Sequence, residues 1–172
     1  MLPQNKSLRP LFVLLLASAL WSGCTATVAQ RQEPHDKGWV TRAIFDRPLY
    51  EPFKNGYDTS KVAGEYVELM KTVVKDVDIT VFFGGWCSDS KRQVPHFLKI
   101  ADAAGIPSDH IRFYALDRTK KSDDSTTDHY RIERVPTFIF SRDGAEVGRI
   151  TESPQTTLEA DMLAILFEGL KH

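Results

Sequence analysis

The stretch that decides the fold lies at residues 78–95 and reads DITVFFGGWCSDSKRQVP. A run of β-branched and aromatic residues predicts a buried strand, which ends at a pair of glycines. A helix is predicted from Ser88 onward, so Cys87 stands at a helix start. The free N–H groups and the helix dipole stabilise an anion there, and cysteines in such positions are often reactive. The working hypothesis is that Cys87 is a reactive thiol, and the alternative is an inert buried cysteine.

The composition is that of a globular α/β protein. The 172 residues carry 22 basic and 23 acidic side chains, and this balance gives no bulk attraction to nucleic acid or to an acidic membrane. Without the first two dozen residues, about 150 remain, enough for one domain with its own core. Cys24 and Cys87 match neither a zinc-ligand spacing nor a disulfide framework. The histidines form no ligand pair with Cys87, so no metal and no cofactor is expected.

Residues 1–23 have the pattern of a secretory signal peptide. Lys6 and Arg9 provide the positive start, and residues 11–20 contain no charge. This apolar run is too short to span a bilayer as a helix, which needs about 20 residues. The chain is therefore expected to be secreted across an inner membrane.

The end of this signal resembles the lipobox of bacterial lipoproteins. It reads LWSGC, with Cys24 as the residue to be lipidated, although Trp21 departs from the usual aliphatic residue. Acyl chains on Cys24 would anchor the protein to a membrane surface. Because Thr25 rather than an acidic residue follows, the resemblance suggests the outer membrane, facing the periplasm. Ordinary cleavage near Ala26 or Ala29, which discards Cys24, is the alternative.

The remaining chain divides into three parts. Residues 24–38 are polar and predict a flexible tether. Residues 39–58 predict an N-terminal extension with a possible edge strand over 39–45, followed by turn residues. Residues 59–172 alternate helical and strand patterns and end with a hairpin and a helix. This order predicts a central mixed sheet of four to five strands with helices on both faces.

From about residue 59 to residue 170, the chain resembles the thioredoxin superfamily. Four features coincide in the expected order: Trp86-Cys87 after an apolar strand, Pro95 eight residues beyond the cysteine, Val135-Pro136-Thr137 as a cis-proline segment, and a hairpin with Gly144 before an amphipathic helix. The Trp-Cys-Ser-Asp-Ser site is similar to that of bacterial envelope thioredoxin-like proteins. The resemblance therefore implies a thioredoxin-like fold and thiol–disulfide chemistry.

Two departures from the superfamily pattern bear on the chemistry. The usual site has two cysteines, but Ser90 occupies the position of the second, resolving cysteine. Thioredoxins also carry a buried acidic residue six places before the nucleophile, where this chain has Val81. An ordinary dithiol cycle is therefore not expected. A monothiol reductase, an isomerase-like protein or a sulfenic-acid sensor fits better.

The resemblance also assigns roles to individual residues. Cys87 is the expected nucleophile, and the Ser90 hydroxyl could donate a hydrogen bond to its thiolate. The expected substrate-binding residues are Trp86, Asp89, Val135 and Pro136. Asp89 opposes a thiolate electrostatically unless it caps the helix or points to solvent. If Pro136 is cis, the backbone of Val135 can pair with an extended substrate segment.

The expected partners are protein or small-molecule thiols and disulfides, and the protein is expected to be a monomer. A second hypothesis comes from another functional class. In it the fold is a redox-silent module that binds envelope polypeptides through Trp86 and the proline edge, and Cys87 is incidental. Trapping of mixed disulfides distinguishes the two hypotheses.

Overall fold

A computed structural model describes residues 33–171 of the chain. The expected signal peptide, the lipidation site at Cys24 and the first part of the expected tether lie outside these residues. Within this range, no helix combines the length and the apolar character needed to cross a membrane.

A five-stranded mixed sheet forms the centre of the described chain, in the order β1-β3-β2-β4-β5. The strands are β1 (Gly38–Val40), β2 (Asp78–Phe83), β3 (Ile111–Ala115), β4 (Thr137–Arg142) and β5 (Ala145–Thr151). Strands β2 and β3 are parallel, whereas the other neighbouring pairs are antiparallel. The prediction of a mixed sheet of four to five strands is confirmed.

Helices flank the sheet and close the main hydrophobic core. They are α1 (Glu51–Thr59), α2 (Gly64–Met70), α3 (Ser88–Ala104), α4 (Thr126–His129) and α5 (Leu158–Glu168). One face of the sheet packs with α1, α2, α3 and α5, as where Phe97 of α3 meets Phe138 of β4 with ring centroids 4.9 Å apart. A smaller cluster on the opposite face contains these buried side chains: Phe82, Cys87, Tyr114, Leu116, Ile132, Val135 and Ile139.

Helix α3 carries the predicted site and follows its sequence signals closely. It begins directly after Cys87 and ends at Gly105, whose φ of 76° is the left-handed conformation that glycine adopts without a steric penalty. Pro95 lies inside the helix and is buried. Helix α1 crosses α3 at this proline, and a Cβ added at Gly56 would lie 3.0 Å from its ring atoms. The small residue permits the close approach of the two helices.

The N-terminal extension is more ordered than the sequence indicates. The expected edge strand over residues 39–45 is confined to β1, because a 3-10 helix follows it. Residues 51–58, expected to form turns, belong to α1. Pro52 fits there because it lies in the first helical turn, where backbone N–H groups have no helical partner. Phe53 stacks on Phe45 at 5.2 Å, so the extension is part of the main core.

The expected tether also differs from the structure over its described part. Residues 33–38 fall within the segment 24–38 that composition predicts to be flexible, but they contact the fold. Pro34 is buried, and Gly38 is the first residue of β1. Polar composition does not reveal this docking, because the contacts are with distant residues, Gly85 for Pro34 and Ala115 for Gly38.

Asp102 joins the N-terminal extension to α3. Its carboxylate accepts hydrogen bonds from the Arg42 guanidinium at 2.6 Å and the Tyr57 hydroxyl at 2.7 Å. Burial raises the pKa of Asp102, but the bonds from Arg42 and Tyr57 outweigh it and hold the pKa below its usual range. Since the folded-state pKa is lowered, this contact stabilises the protein at neutral pH and is lost as the pH falls through the lowered value.

We expect Asp102→Asn to lower the free energy of unfolding at pH 7 by about 1 kcal/mol, because the contact is partly exposed and screened by solvent. The difference from the unmodified protein should shrink as the solution is acidified. Urea denaturation at a series of pH values measures both effects. The exposed Asp109→Asn serves as the control, and a difference for Asp102→Asn that stays constant with pH would contradict this assignment.

Candidate functional site

Cys87 occupies the N-cap position of the 17-residue helix α3. Its carbonyl accepts the first helical hydrogen bond, from Lys91 N at 3.0 Å, and its own N–H donates to Gly84 O at 2.9 Å. These bonds fix the backbone on both sides of the residue. The side chain is 8% exposed. The sulfur therefore lies at the positive end of a long helix, with little access to water.

The carbonyl oxygen of Val135 is the polar neighbour of the sulfur. The Cys87 thiol donates to this oxygen at an Sγ–O distance of 3.3 Å. The peptide bond between Val135 and Pro136 is cis. Thr137 holds the same turn by donating its hydroxyl hydrogen to Arg134 O at 2.8 Å. The two segments that the sequence analysis singled out, 48 residues apart, therefore meet at the sulfur.

Ser90 closes the turn between β2 and α3. Its side chain is completely buried, and its Oγ accepts a hydrogen bond from Gly84 N at 3.2 Å. Within residues 33–171 no hydrogen bond joins Ser90 to the Cys87 sulfur. The structure thus shows a positioning contact for Ser90, and donation from its hydroxyl to a thiolate stays a prediction.

Three contacts fix the indole ring of Trp86. Its Nε1 donates to Leu116 O at 2.9 Å. One edge of the ring covers Gly84 so closely that a Cβ there would lie 2.7 Å from it. The guanidinium of Arg118 lies over the face of the ring, with its carbon 5.0 Å from the ring centroid. The half-buried ring therefore has a defined orientation next to Cys87.

Asp89 does not face the sulfur as an unpaired charge. Its carboxylate forms an ion pair with Arg92, one turn further along α3, at 2.8 Å. The same guanidinium donates to Ser153 Oγ at 3.3 Å. Pairing with Arg92 offsets the repulsion that Asp89 would otherwise exert on a thiolate. A role of Asp89 in substrate binding stays a prediction.

Sequence reasoning missed two polar contacts, one on α3 and one beside Trp86. His96, expected on the helix surface, lies 3.0 Å from the carboxylate of Glu159, which is only 4% exposed. Glu33 pairs with Arg118, the residue over Trp86. Neither contact has a local sequence signal, since its partners are 63 and 85 residues apart. In the part of the chain that the structure describes, no group of three or more His, Cys, Asp or Glu side chains is arranged to hold a metal ion.

A mixed sheet with a cysteine at a helix start, opposite a cis-proline, defines a thioredoxin-like protein. A family model described as thioredoxin matches residues 50–164 of the chain. The chain belongs to this family. The resemblance to the thioredoxin superfamily and the thioredoxin-like fold are thereby confirmed, and the closer likeness to bacterial envelope proteins stays a prediction.

Individual relatives agree with this assignment. An H-type thioredoxin of Populus jackii is 29% identical over 85 residues, which cover 49% of this chain and 57% of that protein. The mitochondrial thioredoxin-3 of Saccharomyces cerevisiae is 25% identical over 115 residues, covering 66% and 86%. The chain thus spans a little over half of the length of the plant thioredoxin.

A solved structure supports the fold. A protein of unknown function from Pseudomonas aeruginosa superposes with a TM-score of 0.55 at 14% identity, covering 76% of this chain and 92% of that chain. At this identity the likeness concerns the fold alone.

Proposed function

We propose that this protein is a thiol–disulfide oxidoreductase of the cell envelope that works through the single thiol of Cys87. The observation that carries the proposal is the Cys87 sulfur at the start of α3, 3.3 Å from the Val135 carbonyl beside Pro136. Membership of the thioredoxin family supports a redox role in general. The mechanism follows from the residues that this chain has and from the cysteine that it lacks.

The reaction begins when the Cys87 thiol releases its proton to solvent. The thiolate attacks one sulfur of a partner disulfide, forms a mixed disulfide with it, and expels the other sulfur as a thiolate that takes up a proton. Because residue 90 is a serine, the site holds no second thiol to break this bond. An external thiol must do so: a second cysteine of the partner, a small thiol such as glutathione, or a reductase. The external thiol is oxidised and Cys87 is regenerated.

The Val135 carbonyl couples this chemistry to binding. It accepts the Cys87 hydrogen while the thiol is protonated, and it becomes free when that proton leaves. An extended substrate segment can then donate a backbone N–H to the vacated carbonyl, as in pairing to a sheet edge. Trp86, which packs against the cluster that contains Cys87, provides a rigid aromatic surface beside the site. Binding and activation would therefore use the same carbonyl.

The envelope location rests on the sequence alone. The lipobox-like segment ending at Cys24 supports lipid attachment, and a membrane-anchored thiol outside the cytoplasm would meet protein disulfides. Cys24→Ser should move the protein from the membrane fraction to the soluble fraction after cell lysis. A protein that is already soluble before the change would contradict lipidation.

The mechanism predicts that the protein itself traps its partners. On non-reducing gels of envelope extracts, we expect covalent adducts that disappear when a reducing agent is added. They should be absent from Cys87→Ala and present in Cys24→Ser, which keeps the reactive thiol. Adducts form because no thiol within the site can release the partner. If the protein without substitutions forms no adducts, the proposed oxidoreductase function is contradicted.

A redox-silent binding module is the second candidate. The low exposure of Cys87 and its hydrogen bond to Val135 favour it, because both restrict access to the sulfur. In that case Cys87→Ala should retain the same polypeptides without a covalent link. Recovery of identical polypeptides by the unmodified and Cys87→Ala proteins, with no adducts on non-reducing gels, would support this candidate.

A further inference from the structure

Five residues, Glu33 to Lys37, lie against the turn that carries Trp86, and we name this segment the N-terminal clasp. Its Pro34 is buried and contacts the turn directly. A Cβ added at Gly85 would lie 2.5 Å from the Pro34 Cβ, so only glycine leaves room for the proline. The clasp therefore covers one side of the active-site turn.

Charged contacts hold the rest of the clasp in place. Asp36 accepts hydrogen bonds from Arg47 at 2.6 Å and from the hydroxyl of buried Tyr50 at 2.9 Å. Burial raises the pKa of Asp36, but these two bonds outweigh it and keep the pKa below its usual range. Lys37 donates to Asp123 at 2.6 Å. The clasp is thus docked at its centre and at its end.

The first residue of the clasp reaches the cation that lies on Trp86. Arg118 stacks over the indole ring and donates to the Glu33 carboxylate. This hydrogen bond lowers the pKa of Glu33, so its negative charge is present at neutral pH. The pair is partly exposed, with side-chain exposures of 36% for Glu33 and 61% for Arg118. Such pairs are weak and are screened by salt, so this contact can open.

Two other arginines near the site pair with carboxylates outside the clasp. Arg92 pairs with Asp89 of the same helix, and Arg134 pairs with Glu152 at 2.6 Å. Both partners lie outside the clasp, Asp89 in the first turn of α3 and Glu152 directly after β5. Arg118 instead depends on a carboxylate from the clasp. The charge on the Trp86 side of the site therefore changes when the clasp moves.

We propose that the clasp sets the preference of Cys87 for disulfides according to the charge that those disulfides carry. While it is docked, the Glu33 carboxylate offsets the charge of Arg118 beside Trp86. When Glu33 is withdrawn, Arg118 is left as an unpaired cation that attracts disulfides carrying anionic groups. Glu33 and Arg118 are then specificity residues that do not touch the sulfur. This inference rests on the proposed attack of Cys87 on disulfides.

Two probe disulfides of different charge test the proposal. Dithiobis-nitrobenzoate is dianionic and dithiodipyridine is neutral, and each releases a coloured thiol when a thiolate attacks it. Rates are measured at low ionic strength on the full chain carrying Cys24→Ser, so that Cys87 is the reacting cysteine. The quantity compared between variants is the reaction rate with the anionic probe divided by the reaction rate with the neutral probe.

We expect Glu33→Gln to raise this ratio about fivefold, because it leaves one unpaired positive charge near the site. Added salt should reduce the gain, and Arg118→Gln combined with Glu33→Gln should abolish it. The matched control is Glu68→Gln, which frees Lys71 from a similar ion pair on α2 and should leave the ratio unchanged.

The outcomes separate the two proposals. If Cys87 reacts with the neutral probe but Glu33→Gln leaves the ratio unchanged, the clasp does not set charge preference and the inference is wrong. A gain that persists after Arg118 is replaced would equally overturn it. If Cys87 reacts with neither probe, the proposed oxidoreductase itself fails, and the inference fails with it.

Discussion

The site depends on the hydrogen bond between the Cys87 thiol and the Val135 carbonyl. The sheet makes this contact possible, because antiparallel pairing sets Phe82, near the end of β2, opposite Thr137 at the start of β4. The residue that follows the β2 turn therefore meets the residues that precede β4. Strands β3 and β5 flank the β2–β4 pair in the sheet. Helix α3 places its N-terminus, the positive end of the helix dipole, at Cys87.

The serine at position 90 changes what this framework can do. In the structure its hydroxyl accepts a hydrogen bond from Gly84 N and so supports the turn that carries Trp86 and Cys87. The position that holds a resolving sulfur in a dithiol site thus has a structural contact here. The fold is that of the thioredoxin family, and in the proposed function the absence of this sulfur stops the reaction at a mixed disulfide until another thiol arrives.

Sequence reasoning succeeded where the signal is local. Strand β2 and the start of helix α3 were predicted because an apolar run, a glycine pair and a helical segment follow one another directly within residues 78–95. It failed where long-range contacts decide the structure. Residues 33–38 look flexible until Arg118 and Arg47 are brought beside them by the fold.

The central claim is that a single thiol reacts and cannot release its partner alone. The most direct measurement is peptide mass spectrometry of Cys24→Ser protein treated with oxidised glutathione and then freed of small molecules. We predict one glutathione on the peptide containing Cys87, stable until a thiol is added. Adding Ser90→Cys places a second thiol one helical turn away, and the glutathione should then be replaced by an internal disulfide. An unmodified Cys87 peptide, or a glutathione lost equally from both proteins without added thiol, would contradict the account.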